Sequence, residues 1–199
     1  IVCVGRNYAE HAKELNNPIP SEPILFIKPE SSAVPFAQEI KIPTTDCHYE
    51  TELAILLGKS LTSASEEDVQ QSISGIGLGL DLTRRALQSK LKEKSHPWEI
   101  AKGFDGACPL TNFIAPNQFS DFTNIHFTLH INKKLKQSGN SSDMLNPIVP
   151  LIAYMSTCFT LKPGDVILTG TPKGVGELKS GDVLELNLMD KIKLTSKTI

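Results

Sequence analysis

The stretch His48-Tyr49-Glu50-Thr51-Glu52-Leu53-Ala54-Ile55-Leu56-Leu57 reads as a β-strand with two acids set two residues apart. Alternate side chains of a strand point the same way, so Glu50 and Glu52 share a face with Ala54 and Leu56. Two carboxylates at the mouth of an otherwise apolar face repel each other and lose hydration unless a cation lies between them. The segment is therefore either one wall of a cation site or a solvent-exposed edge strand whose acids discourage aggregation.

Outward from it, the run Gly75-Ile76-Gly77-Leu78-Gly79-Leu80 is apolar and carries no charge until Asp81. A buried strand of this kind delivers its last side chain into a site, although Asp is also a preferred helix N-cap. Three carboxylates with no His or Cys in the pattern favour a hard cation with oxygen ligands, Mg²⁺ or Mn²⁺, over zinc. Lys102 follows in Trp98-Glu99-Ile100-Ala101-Lys102-Gly103-Phe104-Asp105-Gly106, flanked by aromatic and small residues. Such a lysine suits a substrate carboxylate or a developing oxyanion. Thr169-Gly170-Thr171-Pro172-Lys173-Gly174-Val175-Gly176 has the glycines of a phosphate loop but neither its G-K-[ST] ending nor a following helix, which excludes that motif.

Hydrophobic periodicity predicts further strands at residues 1–4, 24–27, 73–82, 125–132, 166–169, 183–189 and 192–195. Helices are expected at 7–14, 84–94 and 147–159, with a short one whose capping box pairs Ser65 with Asp68. In the first of these, His11 and Glu14 stand three apart and share a helix face. The Asn-, Pro- and Ser-rich stretch 16–23 reads as a loop. Strands outnumber helices without βαβ alternation, so the expected class is mostly β with a few helices (α+β), not a doubly wound sheet or a TIM barrel. A single domain over 1–199 is the simplest organisation.

With 40% hydrophobic and 21% charged residues the 199-residue chain matches an ordinary globular protein. Its formal charge of −2, with no polybasic run, points away from nucleic acid and anionic membrane surfaces and toward a small-molecule partner. Cys3, Cys47, Cys108 and Cys158 form no C-x-x-C pair, so free thiols are expected rather than a zinc ribbon or disulfide scaffold. No apolar run approaches the ~20 residues that span a bilayer. A cytoplasmic protein is expected, while the start at Ile1 rather than Met leaves an upstream targeting segment open.

These pieces, in this order, resemble the fumarylacetoacetate hydrolase family, in particular its small single-domain members with acylpyruvate hydrolase and oxaloacetate decarboxylase activity. The resemblance rests on Val4-Gly5-Arg6-Asn7-Tyr8 followed by His11 and Glu14, on Phe26-Ile27-Lys28-Pro29, and on Tyr49-Glu50-Thr51-Glu52-Leu53. It continues through Asp81-Leu82-Thr83-Arg84-Arg85, Ala101-Lys102 leading to Cys108-Pro109, and the Thr169–Gly176 block, so it covers nearly the whole chain. It implies a mixed β-roll, a homodimer, and Mg²⁺ or Mn²⁺ held by Glu50, Glu52 and Asp81. It further implies a substrate-binding or catalytic Lys102, a substrate contact at Thr171, and His11 and Glu14 on a short helix that closes over the site. Arg85 and Gln88, one helical turn beyond Asp81, match substrate contacts.

The activity so implied is hydrolysis of the C–C bond of acylpyruvates such as fumarylpyruvate or acetylpyruvate, with oxaloacetate decarboxylation beside it. Isomerisation of an unsaturated 2-hydroxy diacid is the alternative enzyme reading. A non-catalytic metal- or metabolite-binding protein is the alternative of another class.

Overall fold

The computed structural model describes residues 1–15, 18–43 and 46–199. Its elements begin with β1 (Val2–Gly5), α1 (Ala9–Glu14), β2 (Ile24–Ile27), β3 (Ala33–Pro35), β4 (Cys47–Tyr49), β5 (Thr51–Leu57), α2 (Glu66–Ser72) and β6 (Ile73–Leu80). Then come β7 (Thr83–Arg84), α3 (Arg85–Glu93), α4 (Glu99–Lys102), β8 (Cys108–Leu110), β9 (His126–Ile131), β10 (Lys134–Asn140) and α5 (Ile148–Cys158). The chain closes with β11 (Val166–Leu168), β12 (Gly176–Glu177), β13 (Val183–Leu188) and β14 (Ile192–Lys197). Part of the expected 16–23 loop, Asn16 and Asn17, lies outside the described residues.

A curled seven-stranded sheet runs β2-β1-β11-β5-β6-β8-β3, with β1–β11 and β3–β8 parallel and the other pairs antiparallel. A four-stranded sheet, β10-β9-β13-β14, and a three-stranded one, β12-β4-β7, complete the mostly β architecture. The strand β5 lies between β11 and β6 rather than at an edge, which removes the edge-strand reading of Glu50 and Glu52. Both of its faces are covered, and this is why its sequence runs Leu-Ala-Ile-Leu-Leu without a polar interruption.

The two faces of β5 do different work. Leu53, Ile55 and Leu57 join Ile76, Leu78 and Leu80 of β6, Phe127 and Leu129 of β9, Leu184, Leu186 and Leu188 of β13, and Ile152 and Met155 of α5 in the main core. Ala54 faces the other way, into a small cluster with Cys3, Phe26, Cys108, Val166 and Leu168. Glu50 and Glu52 precede Ala54 on that second face. The β6 glycines share it, and they permit a close approach: a Cβ on Gly77 would lie 2.9 Å from the Asn112 carbonyl, and one on Gly79 2.9 Å from Leu110 and Leu168.

Two expectations need correcting. The stretch 48–57 is not one strand, because the chain leaves the β12-β4-β7 sheet at Tyr49 and enters the large sheet at Thr51, with Glu50 at the break. The strand β10 was not foreseen, since it has no apolar alternation: its one large apolar residue, Leu135, is exposed, and its buried residues are Gln137 and Gly139. It forms by a hairpin with β9 across Asn132 and Lys133, whose φ values of 52° and 67° give the left-handed two-residue turn that matches strand twist.

Candidate active site

Glu50, Glu52 and Asp81 converge, each offering a carboxylate oxygen within 4.8 Å of the others, and all three are buried. Asp81 does not cap a helix: α3 starts after Arg84 with no side-chain cap, and Asp81 turns inward instead. Lys102 Nζ donates to Glu50 Oε2 at 2.9 Å and to Asp81 Oδ2 at 2.5 Å. Arg85, at the start of α3, donates from one nitrogen to Glu50 and from another to Gln88 Oε1 at 2.8 Å. One helical turn thus lets Gln88 hold the guanidinium that Arg85 presents to Glu50.

The charges are unevenly balanced. Burial opposes ionisation of Glu50, but Lys102, Arg85 and His11 outweigh it and hold this carboxyl well below the usual range. Glu52 goes the other way: burial, then Asp81 and Glu50, raise it well above that range despite Lys102 and a 2.6 Å hydrogen bond from the Gly170 N–H. Burial also disfavours the Lys102 charge, yet Asp81 and Glu50 raise its affinity for the proton, so it stays an ammonium. A buried acid trio of which one member, Glu52, makes no ion pair among the described residues fits a divalent cation, and the all-oxygen donor set fits Mg²⁺ or Mn²⁺.

The Thr169–Gly176 turn supports this arrangement from beside. Gly170 holds φ 93° and a Cβ there would lie 2.7 Å from Asn7 Cβ, so only glycine brings this N–H to Glu52. Thr171 is buried; its Oγ1 accepts from Gln137 Nε2 at 2.8 Å, while Gln137 Oε1 accepts the Thr51 N–H at 2.9 Å. The helix α1 sits over the same turn. Glu14 accepts from the Gly174 N–H at 3.0 and 3.2 Å and meets His11 Nδ1 at 3.3 Å. A carboxylate only accepts, so Nδ1 is the donor of this pair, and in the neutral ring the lone pair lies on Nε2.

A cavity of about 30 Å³ is enclosed by Glu50, Glu52, Asp81, Lys102, His11 and Thr171, with Arg85, Gln88 and an aromatic wall of Phe26 and Trp98. Of the residues expected at the site, only Glu14 stands back from this cavity, touching it through His11. In this conformation the cavity has room for little more than water.

Sequence reasoning missed several members. Lys28 is fully buried; its Nζ donates to the carbonyls of Leu82, Lys102 and Ala107 and makes a 2.8 Å charge contact with Asp81 Oδ1. A signal existed, since alternation puts Lys28 on the buried face of Phe26. Lys92 had one too, since it follows Arg85 by seven and Gln88 by four on one face of α3, whereas Arg6 and Gln137 left none.

Buried acids, a lysine held among them and a histidine facing one cavity, with a glutamate behind that histidine, make an enzyme-type site. The chain belongs to the fumarylacetoacetate hydrolase family, whose C-terminal domain matches residues 1–198. It is 48% identical over 202 residues to the oxaloacetate tautomerase YcgM of Escherichia coli strain K12, covering 100% of this chain and 92% of that protein. Against the mitochondrial oxaloacetate decarboxylase of Dictyostelium discoideum it is 43% identical over 191 residues, covering 94% of this chain and 88% of the relative. Among solved structures, the fumarylpyruvate hydrolase of Pseudomonas aeruginosa in complex with Mn²⁺ and pyruvate superposes with a TM-score of 0.93 at 32% identity, covering 100% and 88% of the two chains. The relatives are enzymes, and the mixed β-roll fold is theirs.

Proposed function

We propose that the protein is a divalent-metal-dependent enzyme that generates the enol or enolate of 2-oxo acids, with keto–enol interconversion of oxaloacetate as its principal reaction. Glu50, Glu52 and Asp81 hold the metal. The observation that carries the reading is the convergence of these three buried acids with Lys102 and His11 on one cavity. The similarity to proteins named for oxaloacetate tautomerisation and decarboxylation supports the choice of substrate.

A bound Mg²⁺ or Mn²⁺ supplies Lewis-acid polarisation of the keto group, which acidifies the neighbouring C–H. The side chains do the rest. Arg85 and Gln88 orient the substrate carboxylate beside Glu50. Lys102, which keeps its proton, offsets charge developing on the enolate oxygen. Nε2 of His11 takes the C3 proton and returns it to oxygen, while Glu14 holds the ring.

Hydrolysis of acylpyruvates is a second reading, favoured by the same His11–Glu14 pair, which can take a proton from a water attacking the distal carbonyl. Decarboxylation needs no such base, because loss of CO₂ itself leaves the enolate. A homodimer in the cytoplasm completes the proposal.

The test follows the enol absorbance of oxaloacetate, and pyruvate release from oxaloacetate, acetylpyruvate and fumarylpyruvate, with Mg²⁺, with Mn²⁺ and after chelation. Metal-dependent interconversion that disappears in a Glu50→Ala, Glu52→Ala double variant is the expected result. Turnover that persists in the variant or in chelator would overturn it.

A further inference from the structure

The cavity is lined by four cationic side chains, Arg6, Arg85, Lys92 and Lys102, against three acids. Lys102 and Arg85 use those acids, as described above. Arg6 and Lys92 do not: among the described residues neither makes an ion pair or a side-chain hydrogen bond, and Arg6 Nε is shut from solvent with no partner. Both are half-buried and line the cavity.

Their placement is built. Arg6 sits at φ 59°, in the left-handed region that a side chain of its size adopts at a cost, in the turn between β1 and α1. Lys92, in the last turn of α3, lays its Nζ 5.0 Å from the Trp98 ring centroid. Trp98 in turn packs on Phe26 with centroids 6.0 Å apart, and Lys102 Nζ lies 5.1 Å from the Phe26 centroid. One aromatic wall therefore connects the lysine of the acid trio to the unpaired lysine. Burial, and then the neighbouring Arg6, Arg85 and Lys102 charges, lower Lys92 from 10.5 to about 8 against the opposing pull of Glu50.

We propose that Arg6 and Lys92 form a second anion subsite that receives a distal carboxylate, so that the enzyme selects 2-oxo diacids over 2-oxo monoacids of the same length. The inference rests on the proposed 2-oxo acid chemistry and deepens it by assigning specificity to two residues outside the acid trio. A diacid places its 2-oxo carboxylate by Arg85 and Gln88 and its far carboxylate between Arg6 and Lys92, over the Trp98 face. A monoacid leaves both cations unpaired, and a site that desolvates charged groups without pairing them loses affinity steeply.

A matched pair of 2-oxo acids tests this. Calorimetric titration of the Mn²⁺-loaded protein compares 2-oxoglutarate with 2-oxopentanoate, which differ only in carboxylate against methyl at the far end. The wild type is expected to prefer the diacid by about tenfold or more, the scale of a charge-assisted pair. Lys92→Met, which keeps the stem on Trp98, and Arg6→Met are each expected to collapse the ratio toward one, and Lys92→Arg to restore most of it. An unchanged ratio in both Met variants would overturn the subsite. So would equal weakening of both ligands, which would mark Arg6 and Lys92 as merely structural. A wild type that binds both ligands equally overturns the subsite but spares the enolate reading, whereas one that binds neither overturns both.

Discussion

Lys102 and His11 face the same cavity, and their surroundings divide the labour between them. Asp81 and Glu50 keep Lys102 protonated, so it serves as a fixed positive charge and a poor base. Glu14 leaves the far nitrogen of His11 free to accept a proton. His11→Ala is therefore expected to lower oxaloacetate interconversion and acylpyruvate hydrolysis by about 10²–10⁴-fold, the usual contribution of a general base. Decarboxylation should fall far less, and equal loss in all three assays would remove this assignment. Lys92 gives a pH prediction. Its ammonium is faced by Arg6 from the β1–α1 turn, Arg85 from its own helix, Lys102 from α4 and Glu50 before β5. Because its proton is held only up to about 8, it is charged below that pH and neutral above. Preference for 2-oxoglutarate over 2-oxopentanoate should thus fall as pH rises through this range, and stay flat in Lys92→Arg. The same shift carries a stability sign: a lysine lowered in the folded state binds fewer protons there than when unfolded, so its contribution to stability rises with pH between about 8 and 10.5.

The site depends on elements whose sequence explains them to different degrees. The alternation Gly75-Ile76-Gly77-Leu78-Gly79-Leu80 gives β6 one face for the main core and one bare face that the segment after β8 approaches closely. Gly77→Ala would press a methyl onto the Asn112 carbonyl, the Thr111 hydroxyl and the Phe113 ring. It should cost about 1–3 kcal/mol in urea denaturation, typical of overpacking, and a neutral outcome would mean that the 110–114 segment gives way. The helix α2 was readable to its first residue, since Ser65 and Asp68 form the reciprocal capping box their spacing announces. The break at Glu50 was not readable, because a strand that changes sheets keeps its apolar alternation. Nor was β10, where Gln137 is fixed by partners on Thr51, Thr171 and Pro172 that lie far away in the chain.

At the scale of the whole molecule, the acids arrive from β5 and the end of β6, the lysines from beyond β2 and from α4, and the histidine from α1. A ligand that ties them together stabilises the folded chain alone. Mn²⁺ at about a hundred times its Kd should add about 2.7 kcal/mol, or roughly 5–10 °C in Tm for a chain of this size. Glu50→Ala, Glu52→Ala should show no such rise, and a rise of the same size in that variant would place the metal elsewhere. By itself, the sequence determined the mostly β class and the principal strands and singled out Glu50, Glu52 and Asp81 as candidates, because alternation and charge in apolar runs are local properties of the chain. The resemblance carried by its motifs added Thr171, Arg85, Gln88 and the His–Glu helix. Only the tertiary structure decided that β5 is central rather than an edge and that Lys28 braces Asp81. It alone brought Arg6 and Lys92 to one cavity, since contacts between distant segments are set by packing and leave no periodic trace in the chain.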